Sequence, residues 1–596
     1  MKTKIASLIA TALVAGIAHA ANKYWAGGDA NGFGYWNGEK SWATAAGAAG
    51  TVSWSAGDTA YFTNSTPVVI DLGGATVSAA TLRRPSSLST RCSVTISNGT
   101  MNLTAAVNRR DSVDSEFLKY VNLQIGDGCT IHNANDKNGF GFTHATHVVF
   151  GKGSSYIEDN SGYENEAEGR GPNHIGGNSN TYSNSVTVCE GASMTLKRKL
   201  VVGSTYSPNN SAAYPDMVGS FIVKGGTVNM AGNMCIGMNA SGNNTQNTTG
   251  AGYYVQDGGN VTVGDAVMMG ALYNDNYTIY NSKSSFTLNG GNFTCDYFDM
   301  NYQGNGQTLT LNDGTLWIKK GFMFKTETGK KQYVRQSKVY LNGGTLKIGG
   351  YMYTQDDDNT PTSSGGMWFN GTTIEPTGNF NTDDGSKTKN FIIQQGGLKI
   401  NTAGGVTFGL YQQVTGGTGA LVKQGNGQMY VNKRLLSTGG VVVEGGWLEF
   451  TATGDILSGG PLTVKSGGFW SGAATFSNAI SLEGGSTFVT NRATMTLATG
   501  ARLNFNNTTT NAKPVRVKAL SVTAASVPVT FTASAAFNLD DAYPLIIGGV
   551  TESSLSKFAV SSVVANGMDI TQGVYLAVES GNLVLRRKPF FFIKVR

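Results

Sequence analysis

One phrase recurs along this 596-residue chain: apolar, any, apolar, about two residues, Gly-Gly or Asn/Asp-Gly, then any, apolar, any, apolar. It reads FIVKGGTVNM at 221 to 230, FTLNGGNFTC at 286 to 295, LTLNDGTLWI at 309 to 318 and VYLNGGTLKI at 339 to 348. Looser copies are FIIQQGGLKI (391 to 400), LVKQGNGQMYV (421 to 431), VVVEGGWLEF (441 to 450) and ISLEGGSTFV (480 to 489), and a last one is LAVESGNLVL (576 to 585). Alternation at period two on both sides of the glycines predicts two short strands, each with one buried face. The turn between them needs the positive φ that glycine tolerates. Pieces such as GFMFK (321 to 325) and GYMYT (350 to 354) follow many copies and add a third strand per unit.

Between Val186 and Leu497 there are thirteen such starts, with a mean spacing of about 26 residues. Near-constant strands with variable insertions predict an all-β chain, a parallel β-helix whose stacked coils lend each other backbone hydrogen bonds. Composition agrees: 81 Gly against 12 Pro and only 14% charged residues argue against a helical protein. Two columns lie two and four residues after the second glycine: Met101, Val228, Val261, Phe293, Leu316, Leu346 and Leu448, and Leu103, Met230, Val263, Cys295, Ile318, Ile348 and Phe450. Both are apolar, and the expectation is that they form continuous ladders inside a single long domain. An unpaired carboxylate placed in such a column should unfold its coil.

The expected divisions are a signal peptide (1–20), an aromatic-rich N-terminal cap (21–90), β-helix coils with loop insertions (91–510), a C-terminal cap (511–587) and a tail (588–596). Lys2 and Lys4, the apolar run Ile5 to Ile17 and Ala18-His19-Ala20 predict cleavage after Ala20 and an exported protein, extracellular, at the cell surface or periplasmic. No later segment approaches the ~20 apolar residues of a membrane helix. Of eight tryptophans, Trp25, Trp36, Trp42 and Trp54 crowd near the start. They read first as a cap over the first open coil and, alternatively, as a stacking surface for sugars. A formal charge of +6 is close to neutral for this length and argues against nucleic-acid partners. Five cysteines with no CxxC do not make a disulfide framework, and Cys295 falls at an inward position.

The opening YWAGGDANGFGYW (24 to 36) with VSWSAGDTAYF (52 to 62), and GGTGALVKQGNGQMYV (416 to 431) followed by GGVVVEGGWLEF (439 to 450), are similar to bacterial exported proteins with autotransporter-associated β-strand repeats. The resemblance implies a right-handed β-helix passenger displayed at a surface, often for adhesion. No run of alternating amphipathic strands precedes Arg596, so the expectation is a passenger without the C-terminal barrel.

Candidate chemistry is sparse. Asp356, Asp357 and Asp358 precede Asp383 and Asp384 by about one coil, so carboxylates from two insertions are candidates to hold Ca²⁺ or to act as acid and base on a glycosidic bond. A second insertion, Glu158 to His174, carries Glu158, Asp159, Glu164, Glu166, Glu168, Arg170 and His174 and reads as an acidic excursion or a ligand-contacting loop. His144 and His147 point to opposite faces and make a poor zinc pair. GNGQ (304 to 307 and 425 to 428) lacks the following helix of a phosphate cradle. The preferred expectation is a non-catalytic passenger that contacts glycans or cell-surface components. The alternatives are a polysaccharide lyase or hydrolase using the acidic loops, and a purely structural surface or matrix protein.

Overall fold

The computed structural model describes residues 21–589 apart from 30, 65, 85–87, 89, 105–119, 135–139, 143–145, 160–172, 177–182, 206–217, 240–250, 271–283, 301–305, 324–336, 354–364, 383–389, 452–458, 473, 509–514, 534–538 and 540–541. Strand accounts for 61% and helix for 2%, in long sheets of parallel strands. The chain divides into two compact units, one ending at Thr287 and the other beginning at Leu288.

In the first unit, three parallel ladders run side by side through the sequence. Ladder one includes Val68–Asp71, Cys92–Ser97, Val121–Ile125, His147–Phe150 and Ser183–Val188, each paired to the next in register. Ladder two includes Thr76–Ala79, Gly99–Leu103, Cys129–Asn133, Ser155–Glu158 and Ser193–Leu196. The strands Val218–Met230 and Ala251–Val263 serve both, bending between Val223 and Thr227. Ladder three holds Gly141–Phe142, Asn173–Ile175, Leu200–Thr205, Met234–Asn239 and Ala266–Met269. The aromatic start packs on itself: Trp25, Trp36 and Trp42 are buried, and with Trp54 their ring centroids lie 4.6–5.2 Å apart. The Trp42 indole donates to Trp36 O at 2.7 Å. Trp25, Trp36 and Trp42 are occupied by one another, while Phe33 and Tyr35 of the same aromatic cluster are exposed.

In the second unit, ladder one holds Thr308–Leu311, Lys338–Leu341, Gly366–Phe369, Asn390–Ile393 and Val414–Gly416. Ladder two runs from Asn292–Asp299 and Thr315–Met323 through Thr345–Ile348, Thr373–Pro376, Leu398–Asn401, Leu421–Gln424, Val441–Val443, Leu462–Val464 and beyond. Ladder three includes Phe380–Asn381, Thr407–Leu410, Gln428–Val431, Gly446–Phe450, Gly468–Gly472 and Thr487–Leu497. Inside, Phe293, Leu316 and Leu346 form one buried column, and Cys295, Ile318 and Ile348 another. Burying each such side chain contributes about 1.5–3 kcal/mol. All five cysteines are free thiols, and burial pushes the Cys129 thiol up to about 12.

The recurrence of glycine at one offset has a steric cause. A Cβ on Gly314 (φ 79°) would lie 2.3 Å from Gly291 O, and one on Gly344 (φ 62°) 2.6 Å from Gly314 O. Successive turns nest backbone on backbone, so each glycine demands the next. Beside them Asn312 Nδ2 donates to Asn289 Oδ1 at 2.8 Å and Asn342 Nδ2 to Asn312 Oδ1 at 2.9 Å, an amide ladder along the turns. Gly344→Ala is expected to destabilise the second unit by about 1–3 kcal/mol, read from the denaturant midpoint. No loss would show that the turn can open without cost.

Two expectations need correction. The inward columns do not continue in one register. Leu398, which follows a glycine pair, pairs with Leu421, which precedes one, and Ile400 pairs with Lys423. The glycine turn therefore moves to the next corner, from between ladders one and two to between ladders two and three. Along ladder two the rung shortens from 30 residues (Ile318 to Ile348) to 20 (Lys423 to Val443), and ladder one continues as a bridge between Val414 and Leu435. The last copy of the phrase is an antiparallel hairpin rather than a parallel rung, with Val574–Glu579 paired to Asn582–Arg587. Ser580 and Gly581 at its tip both have positive φ, 51° and 78°, the geometry of a tight two-residue hairpin turn.

Candidate functional site

The segments between strands share an edge in each unit. In the first unit, 177–182, 206–217 and 240–250 each join a ladder-three strand to the next ladder-one strand. The strands they lead into begin side by side, with Ser183 opposite Val218 and Val218 opposite Ala251. In the second unit, 301–305, 324–336, 354–364 and 383–389 occupy the same topological position. Whereas 324–336, 354–364 and 383–389 carry charged residues, the first-unit sequences are rich in Asn, Ser, Thr and Tyr, for example YSPNNSAAYPDM at 206 to 217 and ASGNNTQNTTG at 240 to 250. That composition suits adaptable polar contact around large amphipathic rings.

Asp356, Asp357, Asp358, Asp383 and Asp384 lie outside the described residues. The strand ends that bracket them are neighbours: Met352 bridges Thr382 on one side, and Gly366 pairs with Asn390 on the other. Both segments thus leave and re-enter the ladders at the same corner. Among the described residues no three His, Cys, Asp or Glu side chains converge on a metal position, and no helix is long and apolar enough to cross a membrane.

The acidic insertion divides in two. Glu158 is not part of an excursion, because its side chain is fully buried. Its Oε1 lies 2.6 Å from Arg198 Nη1, while Oε2 accepts from Lys197 N at 2.7 Å, Arg198 N at 3.1 Å and Asn173 Nδ2 at 3.3 Å. Burial and then the nearby carboxylate push the Tyr156 phenol up, and Asn133 donates to its oxygen at 3.1 Å. Glu164, Glu166, Glu168 and Arg170 lie outside the described residues. Asp159 faces outward and its Oδ1 sits 2.6 Å from His132 Nε2, whose Nδ1 meets Asn102 Oδ1 at 2.9 Å. Both ring nitrogens are engaged, so His132 ties Asp159 to Asn102 across neighbouring rungs. His144 lies outside the described residues. His147 meets Ser185 Oγ at 2.8 Å, and burial, then Arg91, lowers its pKa. An apolar cavity of ≈ 10 Å³ lies beside Leu123, Phe142 and Phe150 in the first unit, room for about one water.

Two features escaped the sequence reading. Lys423 occupies an inward position between Ile400 and Val443 and is fully buried. Its Nζ donates to Gln424 O (2.6 Å), Gly425 O (2.8 Å) and Gly445 O (3.1 Å), tying two successive glycine turns together. Burial lowers its pKa to about 8. The second feature is Trp447, which follows a glycine pair by one residue and so points outward from ladder three, 37% exposed. The signal for it was the odd offset, since positions two and four after the glycines point in.

The outer face of ladder two is, by contrast, closed by its own partners. Lys347 Nζ lies 4.6 Å from the Trp317 ring centre. Glu375 Oε1 accepts from Asn401 at 3.0 Å, and Glu444 accepts from both Gln424 and Lys465 at 2.7 Å. The hydrogen bonds from Lys465 and Gln424 hold the Glu444 carboxyl below its usual range. Compared with family models, with curated proteins and with solved structures, the chain matches none.

Proposed function

We propose that the protein is an exported, non-catalytic display scaffold. It is a right-handed parallel β-helix passenger akin to proteins with autotransporter-associated β-strand repeats, and it presents its inserted segments to glycans or to another cell surface. The observation that carries this reading is the shared edge. In each unit, register pairing brings the strand ends that flank polar segments into a row on a strand framework. Binding residues usually reside on such variable segments held by a rigid framework. The ladders supply rigidity through their buried columns, and the segments supply chemistry without disturbing them.

The test is to replace 324–336 and 354–364 with short Gly-Ser linkers and measure binding of the labelled protein to epithelial cells and to immobilised glycans. Binding by the parent should fall at least about tenfold in the replaced protein, with circular dichroism and thermal midpoint unchanged. Equal binding by both proteins would overturn the reading. So would the release of new reducing ends from plant or mucin polysaccharides that stops on Asp357→Ala or Asp384→Ala, because that outcome makes the protein an enzyme.

A further inference from the structure

We infer that the outer surface of ladder three around Trp447 is a platform for an extended, uncharged glycan chain. Side chains at odd offsets from the glycine turns form two outward columns here. Register places Gln428, Trp447 and Phe469 in one, and Tyr430, Glu449 and Ser471 in the other, with Ser471 itself buried.

Trp447 is held in a fixed pose. Its Nε1 donates to Ser471 Oγ at 3.2 Å, one rung on and one column across, and its ring centre lies 4.5 Å from that of Phe469 at 43°. The indole is therefore laid across the sheet instead of standing away from it. The hydrogen bond fastens its edge, Phe469 supports it, and 37% of the residue faces solvent. A large aromatic surface immobilised before any ligand arrives loses little further entropy on binding. The ring is also flanked by directed polar groups. Tyr430 Oη donates to Gln428 Oε1 at 3.1 Å, which leaves the Gln428 amide nitrogen as the donor end.

Charge decides the ligand class. Among these six side chains only Glu449 carries a formal charge, and it is negative. None of these six side chains is a cation, unlike the face of ladder two with Lys319, Lys320 and Lys347, and the same column reaches Arg516 two rungs beyond Ser471. A polymer of neutral sugars fits: the apolar C–H face of a pyranose packs on an indole, and its hydroxyls exchange hydrogen bonds with the amide of Gln428 and the phenol of Tyr430. Rungs ~4.8 Å apart lie close to the repeat of one hexose in an extended β-linked chain, so successive sugars meet successive rungs.

None of the six side chains belongs to the segments whose replacement tests the display reading, so the two readings fail separately. The experiment titrates the intact protein with cellohexaose, xylohexaose and mannohexaose, and with a galacturonic acid hexamer as the anionic control, by calorimetry and tryptophan fluorescence. At least one neutral hexasaccharide should bind with a fluorescence change, and the anionic one should not. Trp447→Ala should weaken that binding at least about tenfold with an unchanged thermal midpoint, and Ser471→Ala, which frees the ring but keeps it, by a smaller factor. Gln428→Ala tests the polar flank without touching the indole and should also weaken binding. No binding of any neutral hexasaccharide, or binding unaltered in Trp447→Ala, overturns the platform and leaves the display reading standing. Oligosaccharide binding lost in Trp447→Ala, alongside cell binding indifferent to the segment replacements, keeps the platform and removes the display reading.

Discussion

Replacing Glu158 with leucine is expected to cost the first unit about 3–5 kcal/mol. The carboxylate is wholly buried and accepts from the Arg198 side chain, two backbone N–H groups and Asn173. Without it, a guanidinium in the interior loses its countercharge and the Lys197 and Arg198 amides lose their acceptor, and each buried group left wanting costs about 1–3 kcal/mol or more. The measurement is the denaturant midpoint of the purified protein, with hydrogen exchange assigning the loss to strands Ser155–Glu158 and Leu200–Thr205. The double replacement Glu158→Leu with Arg198→Met should recover a large part of the loss, because an apolar pair removes the need for compensation. A single-variant shift under about 1 kcal/mol would mean that water enters and solvates the site.

Lys423→Met is expected to destabilise the second unit by about 2–3 kcal/mol at pH 7, because three carbonyl oxygens lose their donor. The pH dependence identifies the cause. The folded pKa of about 8 lies below the unfolded value of ~10.4. Between these two values the unfolded chain binds more protons, so the Lys423 contribution to stability rises with pH. Below pH ~8 the cost of burying the ammonium is fully present, and above ~10.4 it is gone, a span of about 3 kcal/mol. Parent-minus-variant stability should therefore climb across that window. A flat difference would show that the amine keeps its proton, held by the three carbonyls against the desolvation that favours losing it.

The buried columns show how far periodicity carries. Phe293, Cys295, Leu316, Ile318, Leu346 and Ile348 were placed inward by their distance from a glycine pair, and all are buried. Trp447 was equally legible as an outward residue, but nothing near it in sequence announces Ser471 or Phe469, which arrive from the next rung. Lys423 stood in plain view within LVKQGNG. Alternation alone would have assigned it an inward position, where a charge looks prohibitive. Only the stacking of Gly425 and Gly445 above one another reveals the carbonyl oxygens that accept from it. Glu158 misled for the opposite reason: its neighbours in sequence are acidic and polar, while its partners are Arg198 and Asn173.

What the sequence determined by itself is the local grammar of strand, glycine turn, strand. Period-two alternation and the demand for positive φ act over a few residues and require no knowledge of distant ones. Which strand lies on which was decided by tertiary structure, including the move of the glycine turn to a new corner where Leu398 meets Leu421 and the antiparallel hairpin made by the final copy. Parallel pairing imposes no fixed connection length, so a rung of 30 residues and one of 20 satisfy the same hydrogen bonds. The register is then set by which arrangement buries the apolar columns while pairing inward charges such as Glu158 and Lys423.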